Sequence, residues 1–192
     1  YVIGLPLGVT LAVTGKGGIR ENKVVYRILD VISNVIRSIP FLILLILIIP
    51  LTRFLVGKSY GSSATIVPLV IAAAPFIARM VESSLQEVDE GVIEAAKSMG
   101  AGTWTIIFRV LLVEARTSLI VGVTIALGTI LGYSAMAGVV GGGGLGDIAI
   151  RYGYYRYQTD IMVVTIVILV LIVQVLQALG MMLSKKLDRR NK

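Results

Sequence analysis

Two stretches of this chain, Ser118–Val140 and Ile161–Leu183, contain no charged side chain. At about 1.5 Å per helical residue each reaches roughly 34 Å, enough to cross a hydrocarbon core of about 30 Å with some tilt. An ordinary soluble domain buries a core without needing two such runs. The composition agrees: of 192 residues 56% are apolar and 15% charged, and the mean hydropathy of +0.91 belongs to a membrane protein.

Shorter apolar stretches complete the pattern. Together with 118–140 and 161–183, spans are expected at about 1–14, 28–56 and 64–81. The chain therefore reads as an all-α polytopic membrane protein of five transmembrane helices in a single domain over residues 1–192. The first stretch is too short to cross and begins at Tyr1 rather than Met, so it is expected to be the tail of a clipped helix. It lacks the basic flank and clean small-residue cleavage site of a signal peptide.

Cysteine and histidine are both absent. That removes disulfides, thiolate chemistry, the commonest general base and the commonest metal ligand, and no span carries a carboxylate pair. An intramembrane enzyme is thus disfavoured, and no catalytic or metal-ligating residue is assigned. An ion-coupled secondary transporter would bury ionisable groups near the midplane, and the fourth and fifth spans hold none.

The net charge of +7 would suit nucleic acid, but the positions of the basic residues point to topology instead. Lys16, Arg20, Lys23 and Arg27 follow the first span, Lys97, Arg109 and Arg116 the third, and Lys185, Lys186, Arg189, Arg190 and Lys192 the fifth. The opposite loops hold Arg53, Lys58, Arg151 and Arg156. The positive-inside rule then places the N-terminus outside and the C-terminus in the cytoplasm. Arg79 is expected near the cytoplasmic interface, paired with Glu82 at i+3. Arg37 precedes Pro40, where a kink or a helix start is expected.

On this topology residues 82–117 form the largest cytoplasmic feature. Val92, Ala95, Ala96 and Met99 fall at i, i+3, i+4 and i+7, the apolar face of a helix over 87–101, with Asp89 and Glu90 in its N-terminal turn. Gly100 is placed to end that helix and Thr103 to cap a second. Four acids, Glu87, Asp89, Glu90 and Glu94, against Lys97 leave the segment net negative by three. An interfacial helix would carry basic residues toward lipid, so a docking helix and a plain surface helix are the two leading readings and a helix lying in the headgroups the third.

The segment "EAAKSMGAGTWTIIFRVLLVEA" resembles the signature loop of ATP-binding cassette importer permeases: EAA, three residues, Gly, nine residues, then Ile, any residue, Leu and Pro. Glu94, Ala95, Ala96 and Gly100 match, with Val110 and Leu112 at the Ile and Leu positions, while Val113 stands where the family has proline. The resemblance implies that this is the coupling helix, lying between the third and fourth spans, with Glu94, Ala95, Ala96, Met99, Gly100 and Ala101 against a separate ATPase. No G-x-x-x-x-G-K-[ST] phosphate loop occurs, so ATP and Mg would be held by that partner and no cofactor by this chain.

"VISNVIRSIPFLILL", "IVPLVIAAAPFIARMVE", "GYSAMAGVVGGGGLGDI" and "YGYYRYQTD" are similar to the methionine-importer permeases. That likeness implies a non-catalytic homodimeric subunit of the bacterial inner membrane. It would work with two ATPase copies and an external methionine-binding lipoprotein, and not with nucleic acid. Another amino acid or small solute as cargo is the alternative.

Gly128 with Gly132, and Gly122 with Ala126, are small residues four apart in the fourth span, suited equally to packing within one chain or between copies. For the substrate pathway, Tyr133, Ser134 and Met136 near the outer end of that span are the candidates. Met136 is a soft side chain able to repack around an apolar solute, and packing alone accounts for it equally well. Gly141, Gly143 and Gly146 satisfy G-x-G-x-x-G but follow a membrane helix rather than a strand, so a nucleotide site is not expected. The run is expected instead to form a tight turn where the external binding protein lands, contacted through Gly143, Gly144, Asp147, Arg151, Tyr152, Tyr154 and Tyr155, unless the tyrosines form an interfacial belt.

Overall fold

A computed structural model of the chain describes residues 1–187, and among these every regular element is helical. Arg189, Arg190 and Lys192, assigned above to the cytoplasmic side, lie outside the described residues. In order the helices are α1 (Gly4–Thr14), α2 (Lys23–Ser38), α3 (Phe41–Leu47), α4 (Ile49–Val56), α5 (Ser62–Gln86) and α6 (Glu90–Ser98). Then follow α7 (Thr103–Thr105), a π-helical turn (Ile106–Leu111), α8 (Leu112–Glu114) and α9 (Arg116–Ala137) with a 3-10 turn to Val140. After α10 (Gly144–Ile148) and a second π turn (Ala149–Tyr154) comes α11 (Thr159–Leu187).

Three of these helices, α5, α9 with its 3-10 turn, and α11, are long and apolar enough to cross a membrane. A fourth crossing requires α2 and α3 to count as one, and they meet at a bend of 103°. The continuous span expected over 28–56 is therefore broken. Pro40 has no N–H to donate and pushes Ile39 toward extended backbone, so the helix stops at Ser38 and restarts at Phe41 with Pro40 as its N-cap. A second interruption at Ile48 precedes α4, which carries Pro50 in its first turn. The third span, expected to end at residue 81, continues to Gln86, because Glu82, Ser84 and Leu85 are buried and keep that turn packed.

The chain divides into two compact units, Tyr1–Arg37 with Ala74–Thr124 and the chain from Gly180 onward, and Ser38–Ala73 with Ile125–Leu179. In the first, α1 lies directly on α5. A Cβ at Gly8 would stand 2.5 Å from both the Ala78 carbonyl oxygen and Val81 Cβ. Leu11, Val81 and Ile106 are its largest fully buried side chains. In the second unit Phe41, Leu45 and Ala137 form a core against which Leu69, Ala72, Tyr133 and Val140 pack.

Candidate functional site

The acidic segment of the first unit folds into a short helix whose two ends are set by its own sequence. Asp89 is the N-cap, its carboxylate accepting from the Gly91 N–H at 2.8 Å, a contact of a kind worth about 1 kcal/mol. At the other end the Ala101 N–H donates to Ala96 O at 3.0 Å and the Gly100 N–H to Lys97 O at 2.9 Å. This is a Schellman closure, and it requires Gly100 to take φ +78°, a conformation that costs glycine little. The helix is shorter than the 87–101 expected, because Glu87 and Val88 precede the cap and Gly100 ends it.

What the apolar face of α6 touches differs from a soluble amphipathic helix. Ala96 is buried and Ile93 half-buried, and α6 packs on the π turn that buries Ile106, Ile107 and Leu111. Val92, Glu94, Ala95, Met99 and Gly100 face outward, Met99 at 82% exposure, while Ala101 is half-buried. Exposed beside them are Trp104 and Phe108, whose rings stack with centroids 6.0 Å apart. Sequence reasoning missed this pair. Its signal was an aromatic spacing of i, i+4 directly after the signature glycine. A cavity of about 220 Å³ behind the helix is lined by Lys16, Gly17, Ile19, Glu90, Ile93 and Lys97 among others.

The second helix expected after Gly100 also differs. Gly102, not Thr103, is the N-cap, and Thr103 makes no capping hydrogen bond. The backbone is helical from Thr103 through Glu114, passing through a π turn in which the Leu112 N–H reaches Ile107 O. Val113, which retains the N–H a proline lacks, lies inside this run and is half-exposed.

In the second unit, Tyr133 and Met136 have different surroundings. Tyr133 stacks flat on Phe41, centroids 4.6 Å apart and planes 5° from parallel, so its ring is held in the core. Ser134 and Met136 are exposed, Met136 at 46%. The small residues of α9 also divide. A Cβ at Gly128 would meet Gln177 Nε2 of α11 at 3.2 Å, whereas a Cβ at Gly132 would have nothing within 4 Å. Gly128 is thus used within the chain, and Gly132 leaves an open notch on the face that carries Met136.

The glycine run forms a close-packed turn. A Cβ at Gly146 would stand 2.1 Å from the Ala135 carbonyl oxygen, and the Gly61 N–H donates to Gly141 O at 3.1 Å, pinning the run to the start of α5. Gly143 is half-buried and Gly144 exposed. Beyond them Arg151 Nη2 pairs with Asp147 at 3.1 Å one turn away. Arg156 lies 4.6 Å over the Tyr152 ring, and Tyr154 meets Tyr155 edge to face at 5.4 Å. Arg151 and Tyr154 are exposed on this short segment, and the largely buried Asp147 is tied to it through Arg151.

Among the described residues no three His, Cys, Asp or Glu side chains are grouped to hold a metal ion.

Residues 4–192 match the family described as binding-protein-dependent transport system inner membrane component. The chain is 51% identical over 190 residues to a probable D-methionine transport system permease protein of Vibrio cholerae, covering 99% of this chain and 84% of that one. It is 46% identical over 180 residues to a methionine import system permease protein of Bacillus subtilis, covering 94% and 81%. The fold is similar to a chain of the MetNI methionine ABC transporter in an inward-facing crystal form, with TM-score 0.96 and 49% identity over 98% of this chain and 87% of that one. A further likeness, to an amino acid ABC transporter with TM-score 0.76 at 21% identity, bears on the fold alone.

Proposed function

The chain belongs to the family of binding-protein-dependent transport system inner membrane components, and from that premise we propose that it is the permease subunit of an ATP-driven methionine importer. In this reading it is a single non-catalytic permease domain working as a homodimer. Two copies of a separate ATPase chain bind on the cytoplasmic side, and an external lipoprotein delivers the substrate. Methionine is favoured as cargo because relatives from two distant bacteria carry that substrate in their names at about half identity.

The observation that carries the coupling role is the outward presentation of α6. A short helix fixed at both ends shows Val92, Glu94, Ala95, Met99 and Gly100 to its surroundings and keeps Ala96 and Ile93 for its own seat. A helix held this firmly passes on a push without deforming. Glu94, Ala95, Met99 and Gly100 are then the contact residues of the ATPase socket, with Ala96 and Ala101 supporting them from behind.

The five-span topology takes α1, the bent pair α2–α3 with α4, α5, α9 and α11 as its crossings. The N-terminus is outside and the C-terminus in the cytoplasm, as the exposed Lys16, Arg20, Lys23 and Arg27 favour. Ser134 and Met136 border the substrate path, with Tyr133 bracing the helix from the core. Gly143, Gly144, Asp147, Arg151 and Tyr154 meet the external binding protein.

The test is purification with a co-expressed ATPase, reconstitution into vesicles, and ATP-driven uptake of labelled methionine against competing amino acids. Uptake competed by unlabelled methionine is expected. Uptake competed by another amino acid and not by methionine overturns the cargo, and no association with any ATPase overturns the coupling role.

A further inference from the structure

Helix α2 is arranged inside out. Val24, Ile28, Val31 and Val35, at i, i+4, i+7 and i+11, are exposed, while Asp30 and Asn34, one turn apart, reach Arg79 on α5. Arg79 stands there between two carboxylates. Its Nη2 donates to Asp30 Oδ1 and to Asn34 Oδ1, the latter at 3.1 Å, and its Nη1 donates to Glu82 Oε2 at 2.6 Å. Asn34 Nδ2 donates in turn to the same Asp30 oxygen at 3.2 Å. The side chains of Arg79 and Glu82 are 18% and 5% exposed. Arg79 Nε–H and Glu82 Oε1 have no partner at ordinary hydrogen-bond geometry among the described residues, and the Tyr26 hydroxyl of α2 lies beside both side chains.

The two carboxylates differ in where they sit. Glu82 is three residues along the same helix as Arg79, so that pair survives any rigid movement of α2. Asp30 and Asn34 belong to α2 and separate from Arg79 if α2 moves. A static tie needs only one carboxylate, and a lone guanidinium orphaned in an apolar surrounding would be too costly to expose in every cycle. With Glu82 in place, and with a donor and an acceptor to spare, Arg79 can release Asp30 and stay paired. Only Glu87, Val88 and Asp89 separate the end of α5 from α6, so a displacement of α6 reaches Arg79 through one continuous helix.

We propose that Arg79 is a positioning residue acting as a releasable tie between α2 and α5, closed on Asp30 in the arrangement seen and retained by Glu82 when α2 moves during transport. The proposal rests on the reading of α6 as the helix that receives force from an ATPase.

The experiment uses the reconstituted permease–ATPase complex. The chain has no cysteine, so Val31→Cys on α2 and Ser83→Cys on α5, both exposed, report the α2–α5 distance through spin labels without background. In the wild type the distance is expected to shift between nucleotide-free and ATP-trapped complexes. Asp30→Asn is expected to widen the distribution already without nucleotide, and to lower methionine taken up per ATP hydrolysed by about tenfold, the scale of a typical coupling term.

The combined variant Arg79→Met, Asp30→Leu, Glu82→Leu replaces the three charged groups with apolar volume and leaves Asn34 in place, a change that often leaves stability intact. It is expected to assemble and hydrolyse ATP yet show the same loss of coupling. The tie is overturned if the α2–α5 distance is the same in both nucleotide states and unmoved by Asp30→Asn, or if the combined variant couples like the wild type. A wild-type complex that shows the distance shift but imports no methionine would defeat the cargo assignment and leave the tie standing.

Discussion

Gly146 gives the sharpest quantitative test of the packing. A Cβ there would lie 2.1 Å from the Ala135 carbonyl oxygen, 2.6 Å from Ala135 Cα and 2.7 Å from Ala135 C. All three are backbone atoms of α9, so no rotamer change relieves the overlap. In Gly146→Ala, α10 must withdraw by about 1 Å, and overpacking of this kind costs about 3 kcal/mol. The better helix propensity of alanine returns at most about 1 kcal/mol, which leaves a net loss of about 2 kcal/mol. For a chain of this size that corresponds to a fall in melting temperature of about 4–8 °C. The assay is thermal unfolding of the purified protein in detergent, followed by circular dichroism. A variant melting within about 1 °C of the wild type would refute the claim that α10 is seated on the backbone of α9.

Gly132→Ala separates packing within the chain from packing between copies: with nothing near its Cβ it should be neutral or gain up to about 1 kcal/mol from helix propensity. A weaker dimer in crosslinking or size-exclusion measurements would show instead that a second copy closes on that notch. Glu94→Lys and Met99→Glu alter exposed side chains, so melting should change by less than about 0.5 kcal/mol. Co-purification with the ATPase should nevertheless fall about tenfold, as for loss of a central contact, and unchanged co-purification would remove α6 from the interface. Met136→Ala should change uptake or basal ATP hydrolysis while leaving melting nearly unaltered, since the side chain is half-exposed; unchanged kinetics would return it to packing.

The features legible in the sequence were those written in neighbouring residues. Gly100 marked one end of α6 because capping acts over three or four positions, and Arg79 was paired with Glu82 because one helical turn separates them, whereas Asp89, expected in the first turn for its charge, is the N-cap itself. Pro40 announced a break for the same local reason, though not the size of the 103° bend. The orientation of α6 was not legible. Its periodicity identified Val92, Ala95, Ala96 and Met99 as one face, yet the seat offered by the π turn takes Ala96 and Ile93 and leaves Met99 exposed. Tyr133 and Met136 likewise looked alike in sequence, and only Phe41, distant along the chain, fixes the first and not the second.

By itself the sequence determined that this chain lives in a membrane, where its apolar runs lie, and that its chemistry is not that of His or Cys, since burial in lipid depends on composition over about 20 residues and not on any partner. The tertiary structure decided which side chains meet across those runs. Asp30 reaches Arg79 from 49 residues away, Gly146 is pressed onto Ala135, and α6 shows its Met99 outward. Such contacts depend on how helices cross and rotate, and lipid-facing and protein-facing apolar positions look the same in sequence because both exclude water equally well.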